Sequence, residues 1–411
     1  MAETSPRVAR LDRALRAGIP GALEQFWREV TAAGTPLIES VDGEFALVTF
    51  LWRGPAPSTT VAWGVTAQLS RLAGTDLWHG SVRLPIDLRT LYYLCHGAAT
   101  GIPTEPDGVG GSHVDPHNHR RFRFPGDHAD PTDRAYWASL LELPGAPAET
   151  WSVARPGVPR GRLLRATLPT AALGGQRRIW VYRPAGVPTV GLPTLVVFDG
   201  FLARTVLNIP TTLDNLIAAG RIPPLVALFV ASPSGARRER ELRPGPAVPR
   251  FVTRELLPWA VRRWMVSGRA ADHVIAGSSL GGLAAAYVAL RAPTRFGAVI
   301  AQSGSFWWPR PQAGAPEWLA RDVANAPRRP IRFYMNVGTQ ETTSGVGPGL
   351  HQLAVNRRLR DALTSRGYPV SYAEYSGGHD YINWRRTFAD GLVAVLRKGL
   401  GTRPQPQSNP Q

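Results

Sequence analysis

Apolar positions along the chain change their period twice, and those changes divide it into parts. Residues 10–32 carry apolar side chains at helical spacing on both sides of Gly18-Ile19-Pro20, which predicts two amphipathic helices. From about 35 to 100 the pattern shortens to alternating runs, at 45–52, 60–65, 77–84 and 91–95. These runs are rich in β-branched and aromatic residues and are separated by Gly, Pro and Asp. They predict a small antiparallel β-sandwich, immunoglobulin-like in kind. Residues 100–160 are dense in Gly, Pro, Asp and His and read as a connector. Beyond 160 apolar runs at 178–182, 194–198, 225–230, 273–277, 298–302 and 331–337 alternate with helical segments, including 211–219, 251–265, 281–291 and 350–366. That rhythm predicts a mostly parallel sheet with helices on both faces.

The expected division is a helical extension (1–24), a β-sandwich (25–130), a linker (131–160), an α/β domain (161–402) and a disordered Pro/Gln-rich tail (403–411). With 44% hydrophobic residues in 411, the chain can bury a sizeable core. No early apolar run resembles a signal segment and none approaches a membrane span, so a soluble, cytoplasmic protein is expected. Cys95, the single cysteine, sits in an apolar run and is expected to be a buried thiol.

Charge changes the picture further. Forty-seven basic against 30 acidic residues give a formal net charge of +17, and Lys398 is the only lysine. GC-rich coding is the first account of abundant Arg beside Ala, Gly and Pro; an anionic partner is a second and compatible one, since guanidinium pairs with oxyanions and stacks on rings. The arginines are scattered rather than gathered in a basic tract, so nucleic-acid binding is not expected. His113, Asp115, His117 and His119 have ligand chemistry, but Pro116 and the loop composition supply no fixed geometry, and no metal site is expected.

The chemistry concentrates in His-Val-Ile-Ala-Gly-Ser-Ser-Leu-Gly-Gly, residues 273–282. A G-x-S-x-G between strand and helix makes the sharp turn that lifts a serine hydroxyl above an α/β-hydrolase sheet. Ser279 is central and becomes the candidate nucleophile, with the Leu280 N–H facing developing negative charge. The base follows later in chain order, and His379 lies in a loop directly after the expected strand Val-Ser-Tyr-Ala-Glu-Tyr. Glu341, the first carboxylate after the run 331–337, is the candidate acid; Asp380 is weaker, because neighbouring side chains in an extended loop point apart. The second oxyanion donor is expected after the run 194–198, at the Gly200 or Phe201 backbone N–H, with Asp199 shaping that turn.

The chain resembles the enterochelin esterases, over roughly residues 25–400. The resemblance rests on Phe-Trp-Arg-Glu-Val (26–30), Gly-Thr-Pro-Leu-Ile-Glu (34–39), Val-Thr-Phe-Leu-Trp-Arg (48–53), Asp-Pro-His-Asn (115–118) and Phe-Asp-Gly (198–200). It continues through Arg-Glu-Arg-Glu-Leu (238–242), Gly-Ser-Ser-Leu-Gly-Gly (277–282), Gln-Ser-Gly-Ser-Phe-Trp-Trp-Pro (302–309) and Gly-Gly-His-Asp-Tyr-Ile-Asn-Trp-Arg (377–385). His-Asn-His (117–119) departs from the family, where Asn-Pro is common. The resemblance implies hydrolysis of the ester bonds of a catecholate siderophore trilactone, with iron entering as part of the substrate and no resident cofactor. It implies roles for Ser279, His379 and Glu341, and it sets Trp307, Trp308, Trp384 and Arg385 near the substrate. Ring stacking and charge pairing with a trianionic tris-catecholate would suit those residue types. Related carboxylesterases for feruloyl, acetyl or peptide esters, and a non-catalytic siderophore binder, are alternatives; monomer or dimer stays open.

Overall fold

The computed structural model describes residues 4–97, 111–130, 133–232, 235–308, 315–343 and 347–396. Two helices come first, α1 (Pro6–Arg16) and α2 (Ala22–Ala33). Ser5 caps α1, its hydroxyl accepting from Val8 N–H. The helices are no free extension: Val8, Leu11, Phe26 and Val30 pack with Leu37, Leu51, Leu72 and Leu77 of the sheet that follows.

That sheet comprises β1 (Leu37–Val41), β2 (Phe45–Arg53), β3 (Thr59–Trp63), β4 (Ala67–Arg71), β5 (Leu77–Pro85), β6 (Arg89–His96), β7 (Ser112–His113), β8 (Arg121–Phe124) and β9 (Tyr136–Glu142). Every pairing described in it is antiparallel, in the order β1-β2-β5-β4-β3-β6-β9-β8 with β7 beside β6. The ladder is continuous, because β4 pairs β3 through Ala67–Leu69 and β5 through Ser70–Arg71. Strand β4 is thus shared between the β1-β2-β5 side and the β3-β6-β9-β8 side of the ladder. Strands β8 and β9 lie where a connector and linker are expected, and β9 falls within 131–160, so the link between domains shrinks to about 143–161. The period-2 pattern of β8, exposed Arg121 and Arg123 against buried Phe122 and Phe124, is short and hidden among Gly, Pro and Asp.

The second sheet comprises β10 (Arg162–Pro169), β11 (Gln176–Arg183), β12 (Thr194–Val197), β13 (Val226–Val230), β14 (His273–Ser278), β15 (Ala298–Gln302), β16 (Arg332–Gly338) and β17 (Val370–Tyr375). Its order is β10-β11-β13-β12-β14-β15-β16-β17, and only β11 runs against the rest. Val196, Ile275 and Val299 bury on one face; Leu195, Val197, Val274, Ala276 and Ile300 bury on the other. Two covered faces explain why these strands are apolar at successive positions. The helices, in chain order, are α3 (Gly200–Thr205), α4 (Ile209–Ala218), α5 (Gly235–Leu242), α6 (Ala247–Arg250), α7 (Leu257–Trp264), α8 (Leu280–Arg291), α9 (Trp318–Asn325), α10 (Gln352–Ser365) and α11 (Tyr381–Leu396). α3, α4 and α11 cover one face, and the others cover the opposite one. Small residues Gly281, Gly282 and Ala284 to Ala286 let α8 lie close under the sheet. The tail 403–411 lies outside the described residues.

Candidate active site

β14 ends at Ser278 and α8 begins at Leu280, leaving Ser279 at the turn with φ 56° and ψ −124°. Such a conformation is costly for a residue with a Cβ and persists only where its surroundings over-determine it. Here they do. A Cβ at Gly277 would stand 2.4 Å from the Gly281 backbone, so only glycine admits the turn. Ser279 N–H donates to Gln302 O at 2.8 Å, and Ser279 O accepts from Ser305 N–H at 3.0 Å, tying the elbow to the end of β15.

His379 stands between β17 and α11. Its Nε2 lies 2.9 Å from Ser279 Oγ and its Nδ1 2.6 Å from Glu341 Oε2. An ionised carboxylate only accepts, which assigns the ring proton to Nδ1 and leaves Nε2 to accept from the Ser279 hydroxyl. The Glu341 side chain is 1% exposed, and a buried charge needs satisfied oxygens. Its Oε1 accepts from Ser303 Oγ–H at 2.6 Å, Gly338 N–H at 2.7 Å and Tyr375 O–H at 3.3 Å. Burial first, then the charge of Glu341, pushes the Tyr375 phenol well above its ordinary range, so it stays a neutral donor. Ser303 and Tyr375 carry no sequence signal of their own beyond Ser303 falling in Gln-Ser-Gly-Ser. Asp380 points away from the imidazole, into the N-terminal domain.

The candidate oxyanion donors sit at helix starts. Leu280 opens α8 and Gly200 opens α3 with Phe201 next, and first-turn N–H groups have no intrahelical acceptor. Gly200 is pressed against β13, where a Cβ would stand 2.5 Å from Phe229 carbonyl carbon. Asp199, at φ 53°, shapes the turn and is gripped by Arg238 at 2.6 and 2.5 Å. That carboxylate raises the already high pKa of Arg238, so the guanidinium stays charged. Phe198, Asp199, Leu202, Arg238 and Tyr381 line a cleft beside Ser279.

The four residues expected near substrate divide. Trp307 and Trp308 are half-buried, 5.1 Å apart, with the Arg243 guanidinium 4.7 Å over Trp308. Trp308 N–H donates to Ser305 O, and Ser305 Oγ is 3.3 Å from Ser279 Oγ, so the pair adjoins the elbow. Trp384 requires a correction. It is 2% exposed, its edge meets the His379 ring at 4.8 Å, and its indole N–H donates to Ser303 Oγ at 3.0 Å. It stands behind the imidazole and braces the residue that braces Glu341. Arg385 requires one too: its Nη2 donates to Glu149 at 2.7 Å and its guanidinium covers Phe122 at 4.9 Å, so its charge is spent between the domains.

In the connector, His113 Nε2 faces His96 Nε2 at 2.8 Å, and Asp115 accepts from Tyr92 O–H at 2.7 Å. Among the described residues no three His, Cys, Asp or Glu side chains are grouped to hold a metal ion, and no helix is long and apolar enough to cross a membrane. Cys95 is buried, its Sγ 3.4 Å from Ser112 Oγ.

Comparison with known proteins places the chain among esterases. The esterase family model matches residues 170–395, and the model for the enterochelin esterase N-terminal domain matches residues 47–152. An iron(III) enterobactin esterase of Dickeya dadantii is 32% identical, over 94% of this chain and 95% of its own. An iron(III) salmochelin esterase of Escherichia coli is 28% identical, over 94% of this chain and 96% of its own. The solved ferric enterobactin esterase of Salmonella typhimurium superposes with a TM-score of 0.70 at 25% identity, covering 90% of this chain and 98% of that one.

Proposed function

This chain belongs to the enterochelin esterase family, and from that premise we propose that it hydrolyses the ester bonds of a ferric catecholate trilactone of the enterobactin kind, inside the cell. The observation that carries the mechanism is the run of short contacts from Ser279 through His379 to Glu341. His379 Nε2 takes the Ser279 proton as Oγ bonds to the ester carbonyl carbon, and Glu341 stabilises the imidazolium. The Leu280 N–H, with Gly200 or Phe201 N–H, receives the oxyanion. Collapse breaks the carbonyl–alkoxy bond, His379 returns its proton to the departing seryl oxygen, and water activated by the same imidazole releases the acid. No resident cofactor enters this scheme; iron belongs to the substrate.

Trp307, Trp308 and Arg243 supply an aromatic wall with a cation against it, suited to an anionic catecholate. For the N-terminal domain, a sandwich reading is supported by Val48 and Phe50 of β2 burying with Tyr92 and Leu94 of β6. The test is turnover of ferric enterobactin, the iron-free trilactone and a short p-nitrophenyl ester, with products followed by mass spectrometry. No preference for the trilactone would redirect the reading to a general carboxylesterase; binding without cleavage would make the protein a siderophore carrier.

A further inference from the structure

The loop that carries the base is built against the other domain. Five hydrogen bonds join residues 376–383 to the ends of β3 and β6. Arg89 N–H donates to Ser376 O at 3.3 Å, and Asn383 Nδ2 donates to Arg89 O at 2.6 Å. The Trp63 indole N–H donates to His379 O at 2.9 Å. The Thr90 hydroxyl and the Leu91 N–H, at 2.5 and 3.2 Å, both donate to Asp380 Oδ2, whose partner Oδ1 accepts from Asn383 N–H and Nδ2. Asp380 and Thr90 are fully buried. Backbone meets backbone at the centre: a Cβ on Gly378 would stand 2.2 Å from Gly64 Cα, and one on Gly64 would stand 2.8 Å from Asp380 Oδ2.

Two features show that this seam is more than covered surface. Trp63 adopts φ 95°, a genuine outlier for a bulky side chain, while its ring stacks on Tyr93 at 5.4 Å and 3°. Strain of that kind is costly and collects where geometry matters to function. A buried carboxylate is likewise expensive, and this one is satisfied equally by donors from both domains.

We propose that the N-terminal sheet is a positioning element for the reaction, in which Trp63 and Thr90 hold the His379 loop in register with Ser279. This rests on the Ser279–His379 esterase chemistry above. In this role neither residue touches substrate; both act through the base. Displacing a catalytic group by about 1 Å can cost about 100-fold in rate.

The test uses full-length Thr90→Val, Thr90→Ser and Trp63→Phe beside wild type, Ser279→Ala and His379→Ala. For each, kcat and KM are measured on ferric enterobactin and on p-nitrophenyl acetate, and thermal unfolding reports folding. A displaced base slows every ester. Thr90→Val and Trp63→Phe should lose about 10- to 100-fold in kcat on both substrates with KM little changed, and Thr90→Ser should recover most of it. Wild-type kcat in the folded variants overturns the inference. So does a loss confined to KM for the trilactone, which would make the sheet a binding wall. If Thr90→Val fails to fold, Trp63→Phe decides alone, since its indole is only half-buried. A wild type that cleaves neither ester, or an active Ser279→Ala, overturns the esterase reading instead.

Discussion

The proposed nucleophile and the proposed base of this protein are held by opposite strategies. Ser279 sits on a turn whose every constraint is local: Gly277, Gly281, the end of β15 and the start of α8 lie in one domain, most within a few residues. His379 sits on a loop whose constraints are remote, reaching about 300 residues back to Trp63, Thr90 and Leu91. One half of the proposed catalytic pair is thus specified by a short motif, and the other by the docking of two domains.

The comparison can be broken at several depths. Ser279→Ala removes the nucleophile without disturbing either strategy; we expect kcat on the ferric trilactone to fall about 10⁴- to 10⁶-fold with unfolding temperature unchanged. Glu341→Gln keeps the shape around His379 but no longer demands the Nδ1 proton, and should cost about 10³- to 10⁴-fold in the same assay. Two glycine variants separate local from remote support. Gly378→Ala must push the His379 loop off Gly64, whereas Gly277→Ala must spread the elbow within its own domain. Each should cost about 1–3 kcal/mol or more by overpacking, and calorimetry should find the two domains uncoupled only in Gly378→Ala.

The smallest effect is a slope with pH. Burial, resisted by the donors from Thr90, Leu91 and Asn383, pushes the Asp380 carboxyl up from 3.8 to about 6. Between those values the folded protein binds a proton that the unfolded chain has released, so this group's contribution to stability falls as pH rises from about 4 to about 6. Denaturant unfolding across that window should show the decline in wild type. Asp380→Asn, less stable throughout because its amide meets donors on one side, should lack it.

What could be read from sequence follows the same line. The elbow is legible because its requirements, two glycines around a serine between strand and helix, are written at adjacent positions. Glu341 and His379 are legible by chain order and by following strands. Trp384 and Arg385 mislead for a physical reason: successive positions on α11 face different neighbours, so one enters the core behind His379 and the other meets Glu149 between domains. Ser303, Tyr375, Trp63 and Thr90 are ordinary residues in their own segments and acquire a role only through contacts that folding makes. The strands β8 and β9 were obscured by their turn-rich surroundings, and the break expected at 131–160 moves with them.

The seam at Gly64 and Gly378 sets a rule for recombining such proteins. A crossover placed in the link near residue 150 would join one parent's Trp63 and Thr90 to the other parent's base loop. The unit that travels intact is the N-terminal sheet together with residues 376–383, although these lie more than two hundred residues apart along the chain. Hybrids cut by chain order alone inherit a complete nucleophile and an ill-seated partner for it.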